Sequence, residues 1–462
     1  MAAAGRVHRV GRARRAVALG LVIVGVAACS DSDDDTASTQ AAATDPAPAT
    51  TGVTASEPTS APAPTEPGAT PTDPAPTNPA TTTAATAPVD EGACSTTETG
   101  PIKVGNVGSY SGSSAATAGP VAEGVRMWAD AVNAAGGICG RQVEVVVVDD
   151  GGDTARYATG IRDLVDNEDV VAFLAPAAVQ TFAGGIEYHN ESGVPVIGAD
   201  GTMREMFASP VIAPIVAFST DVVSNTIAGP IEVTGATKFG YVFCQEAQVC
   251  QDADELFTGG AVEAGGGELA YRAQISLAQV DFTAECQSAR EAGVEMFTVL
   301  ADPGTIGRVA LACSRQDFEP AWSLPAGVVS AELMSQPGLS EAVITSGLFP
   351  IEGASSPAID EFHAAAAESG NAIATGLANG WVSGKLFELV ATRAAQATGT
   401  IDSASLVEAL HTVAGETLGG LTTALTFTEA GAQHAPCGFL MQGDGAGGLM
   451  APIGPDPICI GE

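Results

Sequence analysis

The residues best suited to hold another molecule are hydroxyls, amides and carboxylates gathered in short loops. Ser109, Tyr110 and Ser111 form one group, Gln180 and Thr181 a second, and Asp200, Gly201 and Thr202 a third. Asp221 stands alone, and Gln245, Glu246, Gln279 and Asp302 are spread over the segment that follows. Such groups exchange hydrogen bonds and pair with charge, which suits reversible binding of a small polar molecule. Each of them also suits capping of a helix, most of all Thr202, Asp221 and Asp302, which precede helical runs. Covalent chemistry has no comparable basis. The chain carries no G-x-S-x-G elbow, no H-E-x-x-H and no G-x-x-x-x-G-K-[ST] loop. His189, His363, His411 and His434 lie away from predicted strand ends, where a catalytic base would be useful. A metal would have only His434-x-x-Cys437 to start from, with no further ligands at plausible spacing. No cofactor is expected.

The elements that must position these groups are legible from residue 101 onward. Ile102, Val104 and Val107 form a short apolar run, followed by a Gly/Ser loop. Val121, Val125, Trp128, Ala129 and Val132 recur at helical spacing, and Gly136-Gly137 ends that helix. Val143 to Val148 is apolar on both faces, which predicts a central parallel strand, and Asp149-Asp150 closes it. Helices are predicted over 154–167 and from 181 to 192, and strands over 170–174 and 195–198. An extended run over 212–218 leads to a helix over 221–233. A second strand series follows at 239–244, 268–276, 296–300 and 322–324, with helices between. Alternation of this kind predicts parallel sheets flanked by helices, with ligands at the carboxyl ends of the strands. Gly105-Asn106-Val107-Gly108, with Asp149 or Asp150 downstream, has parts of a dinucleotide loop. The full G-x-G-x-x-G pattern is broken.

The order strand, Gly108-x-x-Ser111-Gly112 loop, helix, Asn133-Ala134-Ala135-Gly136-Gly137-Ile138-x-Gly140, strand, Asp149-Asp150 resembles the opening of the type I periplasmic solute-binding proteins. More closely, it resembles the branched-chain amino acid-binding lipoproteins of ABC transporters. The resemblance runs over roughly 100–440 and implies an α/β fold of two Rossmann-like lobes. Each lobe would be a mainly parallel sheet flanked by helices, and a three-segment hinge would join them. Crossings near Thr220, Pro350 and Thr426 would give lobe 1 as 100–219 and 350–425, and lobe 2 as 220–349 and 426–462. The resemblance also implies a small-molecule ligand captured by hinge closure and membrane permease subunits as partners. In the family a ligand carboxylate is held after the third and fourth strands, which here are Val179 to Thr181 and Asp200 to Thr202. The ammonium is held by a carboxylate at the first crossing, here Asp221. The family's second-lobe acid and tyrosine are replaced by Gln279 and Val249. Amides, urea, short peptides and carboxylates therefore stand beside amino acids as ligands. A ligand-sensing subunit and an exported α/β enzyme are the alternatives to a transport role.

Residues 1–28 predict a targeting segment. Arg6, Arg9, Arg12, Arg14 and Arg15 precede an apolar run, 16–28, too short to span a bilayer. Val26-Ala27-Ala28-Cys29 resembles a bacterial lipobox, which implies a lipid anchor on Cys29 and an extracytoplasmic location at the cell membrane. Residues 29–99 are rich in Pro, Thr, Ala and acids, which predicts a disordered tether. With 54 Asp and Glu against 18 Lys and Arg, the chain has a net charge of -36, which argues against nucleic acid as a partner. Of the nine cysteines, those after Cys29 are even in number, as an exported disulfide framework requires. Their positions along the predicted elements favour sequential pairing: Cys94–Cys139, Cys244–Cys250, Cys286–Cys313 and Cys437–Cys459.

Overall fold

The computed structural model describes residues 94–216 and 219–459. The predicted targeting segment, Cys29 and the tether up to residue 93 lie outside the described residues. Among the described residues no helix is long and apolar enough to cross a membrane.

The first sheet is built from β1 (Ile102–Gly108), β2 (Val143–Asp149), β3 (Ala172–Leu174), β4 (Val196–Ala199) and β5 (Ile212–Pro214). All pairs are parallel, in the order β2-β1-β3-β4-β5. Helices α1 (Ala115–Ala134), α2 (Thr154–Asp166), α3 (Ile186–Ser192) and α4 (Arg204–Phe207) connect them. Helix α1 buries Val125, Trp128, Ala129 and Val132, the stripe its spacing predicts. The Asn133 amide then locks the turn to β2. It donates to the Val143 carbonyl at 2.9 Å and accepts from the Val143 N–H at 2.7 Å. Gly137 is required there: its φ is +79°, and a Cβ would stand 2.1 Å from the Arg141 carbonyl oxygen. One expectation fails in this lobe. Val143–Asp149 is the edge strand, not a central one, and most of its residues are only half-buried. Its valines reflect cover on both faces, which a strand at the border of a helix-flanked sheet also receives.

The second sheet follows α5 (Ser219–Thr234). It contains β6 (Lys238–Cys244), β7 (Glu268–Ile275), β8 (Met296–Leu300), β9 (Ala321–Pro325) and β10 (Val343–Ser346). The helices among them are α6 (Gln248–Leu256), α7 (Val262–Ala264), α8 (Thr283–Glu291), α9 (Pro303–Ser314) and α10 (Ala331–Met334). The chain next forms α11 (Pro357–Ser369), α12 (Thr375–Thr398) and α13 (Ser403–Leu410). Of these, α12 packs along α1 and against β4. The hairpin β11 (Leu425–Thr428) and β12 (Gly431–His434) packs against α4 and β5. Then β13 (Cys437–Gly443) pairs antiparallel with β10, and β14 (Leu449–Met450) and β15 (Ile458–Cys459) pair with β13. The last passage between sheets thus follows His434, later than the expected Thr426. The strand-turn at 425 closes on Pro214, whose carbonyl oxygen lies 2.7 Å from His434 Nε2.

Residues 94–98, expected within the tether, are fixed to the first sheet's surroundings. Glu98 pairs with Arg141 at 2.5 Å and accepts from the Ile401 N–H at 2.7 Å, and Cys94 is bonded to Cys139. Disulfides also join Cys244 to Cys250, Cys286 to Cys313 and Cys437 to Cys459.

Candidate functional site

Helices α1 and α12 meet at glycines. A Cβ on Gly380 would lie 2.2 Å from the Val121 carbonyl oxygen and 2.6 Å from the Val125 nitrogen. One on Gly124 would lie 2.2 Å from the Leu377 carbonyl oxygen. The two backbones therefore touch with no side chain between them. This contact brings the first turns of both helices, Ser114 to Ala118 and Ala374 to Gly376, to the rim of one cavity of about 840 Å³. Loops at the carboxyl ends of β1, β3 and β4 form its floor through Ser109, Pro176 to Gln180, and Asp200. The second sheet closes it with Ala326 to Ser330 after β9, Met334 of α10, Met441 of β13 and Leu449 of β14. Ile351 and Glu352, between β10 and α11, complete the wall. The volume lies within the usual range of ligand pockets, and the cavity sits at the sheet edge where such folds bind.

The floor is held by a buried carboxylate. Asp150 is fully buried; its Oδ1 accepts from the Ser109 hydroxyl at 2.7 Å and the Gly152 N–H at 2.7 Å. Its Oδ2 accepts from the Thr181 hydroxyl at 2.6 Å. One side chain thereby ties the loops after β1, β2 and β3 together. A second tie runs through Asn106, also fully buried, whose amide donates to the Leu174 and Ala175 carbonyls at 2.9 and 3.0 Å. Its oxygen accepts from the Tyr110 hydroxyl at 2.5 Å. Burial raises the Tyr110 phenol well above its ordinary value, so it acts as a neutral donor. Ala175 stands in the left-handed region at φ 44°, a strained position for a residue with a Cβ, and Asn106 grips its carbonyl. Outside the cavity lining, Asp149 accepts from the N–H groups of Tyr110 and Ser111. The Ser111 hydroxyl and these N–H bonds hold its carboxyl below the usual range.

Of the residues singled out from sequence, Ser109, Gln180 and Asp200 line the cavity. Thr181 lies beneath it, fully buried, with its proton given to Asp150. Tyr110 and Ser111 brace the loop, and Gly201 shapes it at φ +69°. The Thr202 N–H and hydroxyl both donate to Asp200 Oδ1, at 3.1 and 2.7 Å. Burial pushes the Asp200 carboxyl up despite these bonds. Asp221 falls within the first turn of α5, not before the helix as its reading as a cap requires, and its side chain lies outside the described residues. Gln245, Glu246, Gln279 and Asp302 do not reach the lining. Gln245 is exposed. Glu246 accepts from the Ser276 hydroxyl and the Leu277 N–H, bonds that hold its carboxyl low and join the loops after β6 and β7. Gln279 donates to Glu285 at 2.9 Å, and Asp302 caps α9 through the Thr305 N–H at 3.0 Å. The histidines fill structural places. His189 is buried with Nε2 3.1 Å from the Tyr157 hydroxyl, and burial pushes its imidazole down to about 3.

The sequence of residues 101–448 matches the model of a protein family described as "Periplasmic binding protein". The chain belongs to that family. Its solved relatives show the same two-lobed type I architecture. A branched chain amino acid ABC transporter protein from Thermus thermophilus with bound valine superposes with a TM-score of 0.65 at 16% identity, covering 79% of this chain and 98% of that one. A fatty acid ABC transporter substrate-binding protein from Thermomonospora curvata gives 0.61 at 20% identity, covering 76% and 93%. A solute-binding protein from R. palustris in complex with benzoate gives 0.58 at 15% identity, covering 78% and 96%. No curated protein sequence matches the chain. In this periplasmic binding protein, the lining contributed by the second sheet went unread in the sequence. Its residues are small or apolar and resemble ordinary core. The part of the rim that α12 supplies, also unread, did have a signal in Gly376-x-x-x-Gly380-x-x-x-Gly384, a small-residue stripe along one face of a helix.

Proposed function

We propose that this chain is the extracytoplasmic solute-binding component of an ABC transporter, held at the membrane by lipid on Cys29. It captures a small solute with a substantial apolar body and presents it to permease subunits. The observation that carries the reading is the cavity of about 840 Å³, to which loops at the carboxyl ends of strands in both sheets contribute. A ligand touching both walls favours the closed arrangement of the lobes, because those contacts exist only there. Valine, a fatty acid and benzoate, the ligands in the names of three structural relatives, share an apolar body, as the cavity wall would require. Ser109, Gln180 and Asp200 are the ligand-facing residues of the first lobe in this reading, joined by Ser330, Glu352 and Asn379.

Two measurements test the proposal. In a thermal-shift screen of amino acids, amines, amides, fatty acids and aromatic acids, at least one class should raise Tm in proportion to the logarithm of its concentration, by mass action. A flat response to every class would contradict the reading. Replacing Cys29 by Ser should release the protein from the membrane fraction, and retention there would contradict the anchor.

A further inference from the structure

We propose that the ligand of this cavity carries a cationic head group, an amine in place of a carboxylate, facing Asp200 and Glu352; the inference rests on the cavity being the ligand site. The hydroxyls of the floor are already committed to the protein's own carboxylates, which leaves the Gln180 amide as the side-chain donor there. The Ser109 and Thr181 hydroxyls donate to Asp150, and the Thr202 hydroxyl and N–H donate to Asp200. An anionic head would therefore meet the Asp200 carboxylate and hydroxyls that are already donating.

The charge balance of the lining points the same way. Among the described residues no Lys, Arg or His lines the cavity, while Asp200 and Glu352 do. Glu352 is half-buried and makes no ion pair with any described residue. Helices α1 and α12 open on the cavity without side-chain caps, and their N-termini favour an anion. Each supplies roughly half a positive charge, so the two together fall short of two carboxylates. Burial raises the Asp200 carboxyl, the behaviour of an acid without its counter-ion, and a bound cation would reverse it. The net charge of -36 adds a long-range field that draws cations and repels anions. The body of the ligand meets Val121, Met334, Ile351, Ile373, Met441 and Leu449. The two methionines are side chains that adapt to an apolar guest.

The test is calorimetric titration of the full chain with three bodies, hexyl, isopentyl and 3-phenylpropyl, each as primary amine, alcohol and carboxylate. The amine should bind best on any body that fits, about tenfold or more tighter than the matching carboxylate. In the double variant Asp200→Asn, Glu352→Gln, the preference for amine over alcohol should collapse toward unity. A preference for the carboxylate, or an amine preference that survives the double variant, overturns the proposal. Repeating the titrations with Gly327→Trp, which puts a large side chain on the cavity wall, separates the head group from the location of the site. Carboxylate binding that this variant abolishes would leave the cavity as the ligand site and overturn only the head group. Binding that the variant leaves intact, or no binding of any set to the folded chain, overturns both.

Discussion

Replacing Gly380 by alanine is expected to lower the stability of the protein by about 1–3 kcal/mol or more, although alanine is the better helix former. The added methyl would stand 2.2 Å from the Val121 carbonyl oxygen and 2.6 Å from the Val125 nitrogen, and both are backbone atoms of a 20-residue helix. No side chain can turn aside to make room, so the helices must part. Because α1 and α12 carry the cavity rim at their first turns, parting them should also weaken ligand binding. The comparison is Gly119→Ala, in α1, where a Cβ meets nothing within 4 Å. That change should be neutral or stabilising by up to about 1 kcal/mol. Urea midpoints at unchanged m would show both effects. Equal midpoints for the two variants would mean that the helices do not cross as closely as the structure has them.

Asp150→Ala should be as damaging, for a different reason. It leaves the buried Ser109 and Thr181 hydroxyls without their acceptor, and with them the N–H of the exposed Gly152. Each buried hydroxyl left unpaired costs about 1–3 kcal/mol, and Thr181 falls back only on the long bond to the Ala178 carbonyl, so a total of about 2–4 kcal/mol is expected. Asp150→Asn is the informative companion. Its oxygen can still accept from Ser109 and Gly152. Its amide can donate to Thr181, whose own proton then turns to the Ala178 carbonyl, 3.4 Å away. Most of the stability should return with asparagine. If alanine and asparagine cost the same, the negative charge itself matters more than the hydrogen bonds, and the floor has been misread.

The first lobe was the more legible half of this chain, and its chemistry explains why. Asn133, Gly137 and the Asp149-Asp150 pair each perform a local task within about 40 residues of sequence, so their spacing survives as a motif. Locating β2 was harder, since apolar residues on both faces mark helix cover and not position within the sheet. Local pattern and cavity lining diverge most in the second lobe. Gln245, Glu246, Gln279 and Asp302 stand in loops beside strands and helices, as ligand-binding groups would, yet none lines the cavity and the last three bond to neighbouring loops and helices. The wall that does face the cavity comes from Ala326 to Ser330, Met334, Met441 and Leu449. Those positions are separated by more than a hundred residues and carry no polar signature. Only the pairing of β13 with β10 brings them together. Small residues were the remaining clue. Gly376, Gly380 and Gly384 repeat at one turn, and they mark the close approach of α12 to α1 and Trp128.

Capture of a solute requires above all that the ligand enter the cavity between the two sheets. Gly327 lines that cavity, and a Cβ there meets nothing within 4 Å, so a side chain added there starts in open space. The decisive measurement is calorimetric titration of the strongest ligand from the thermal-shift screen into the full chain and into Gly327→Trp. The account predicts an unchanged unfolding midpoint without ligand and a loss of affinity of about a hundredfold or more, since tryptophan occupies space the ligand needs. Equal affinity in the two proteins would place the binding site elsewhere and contradict the account.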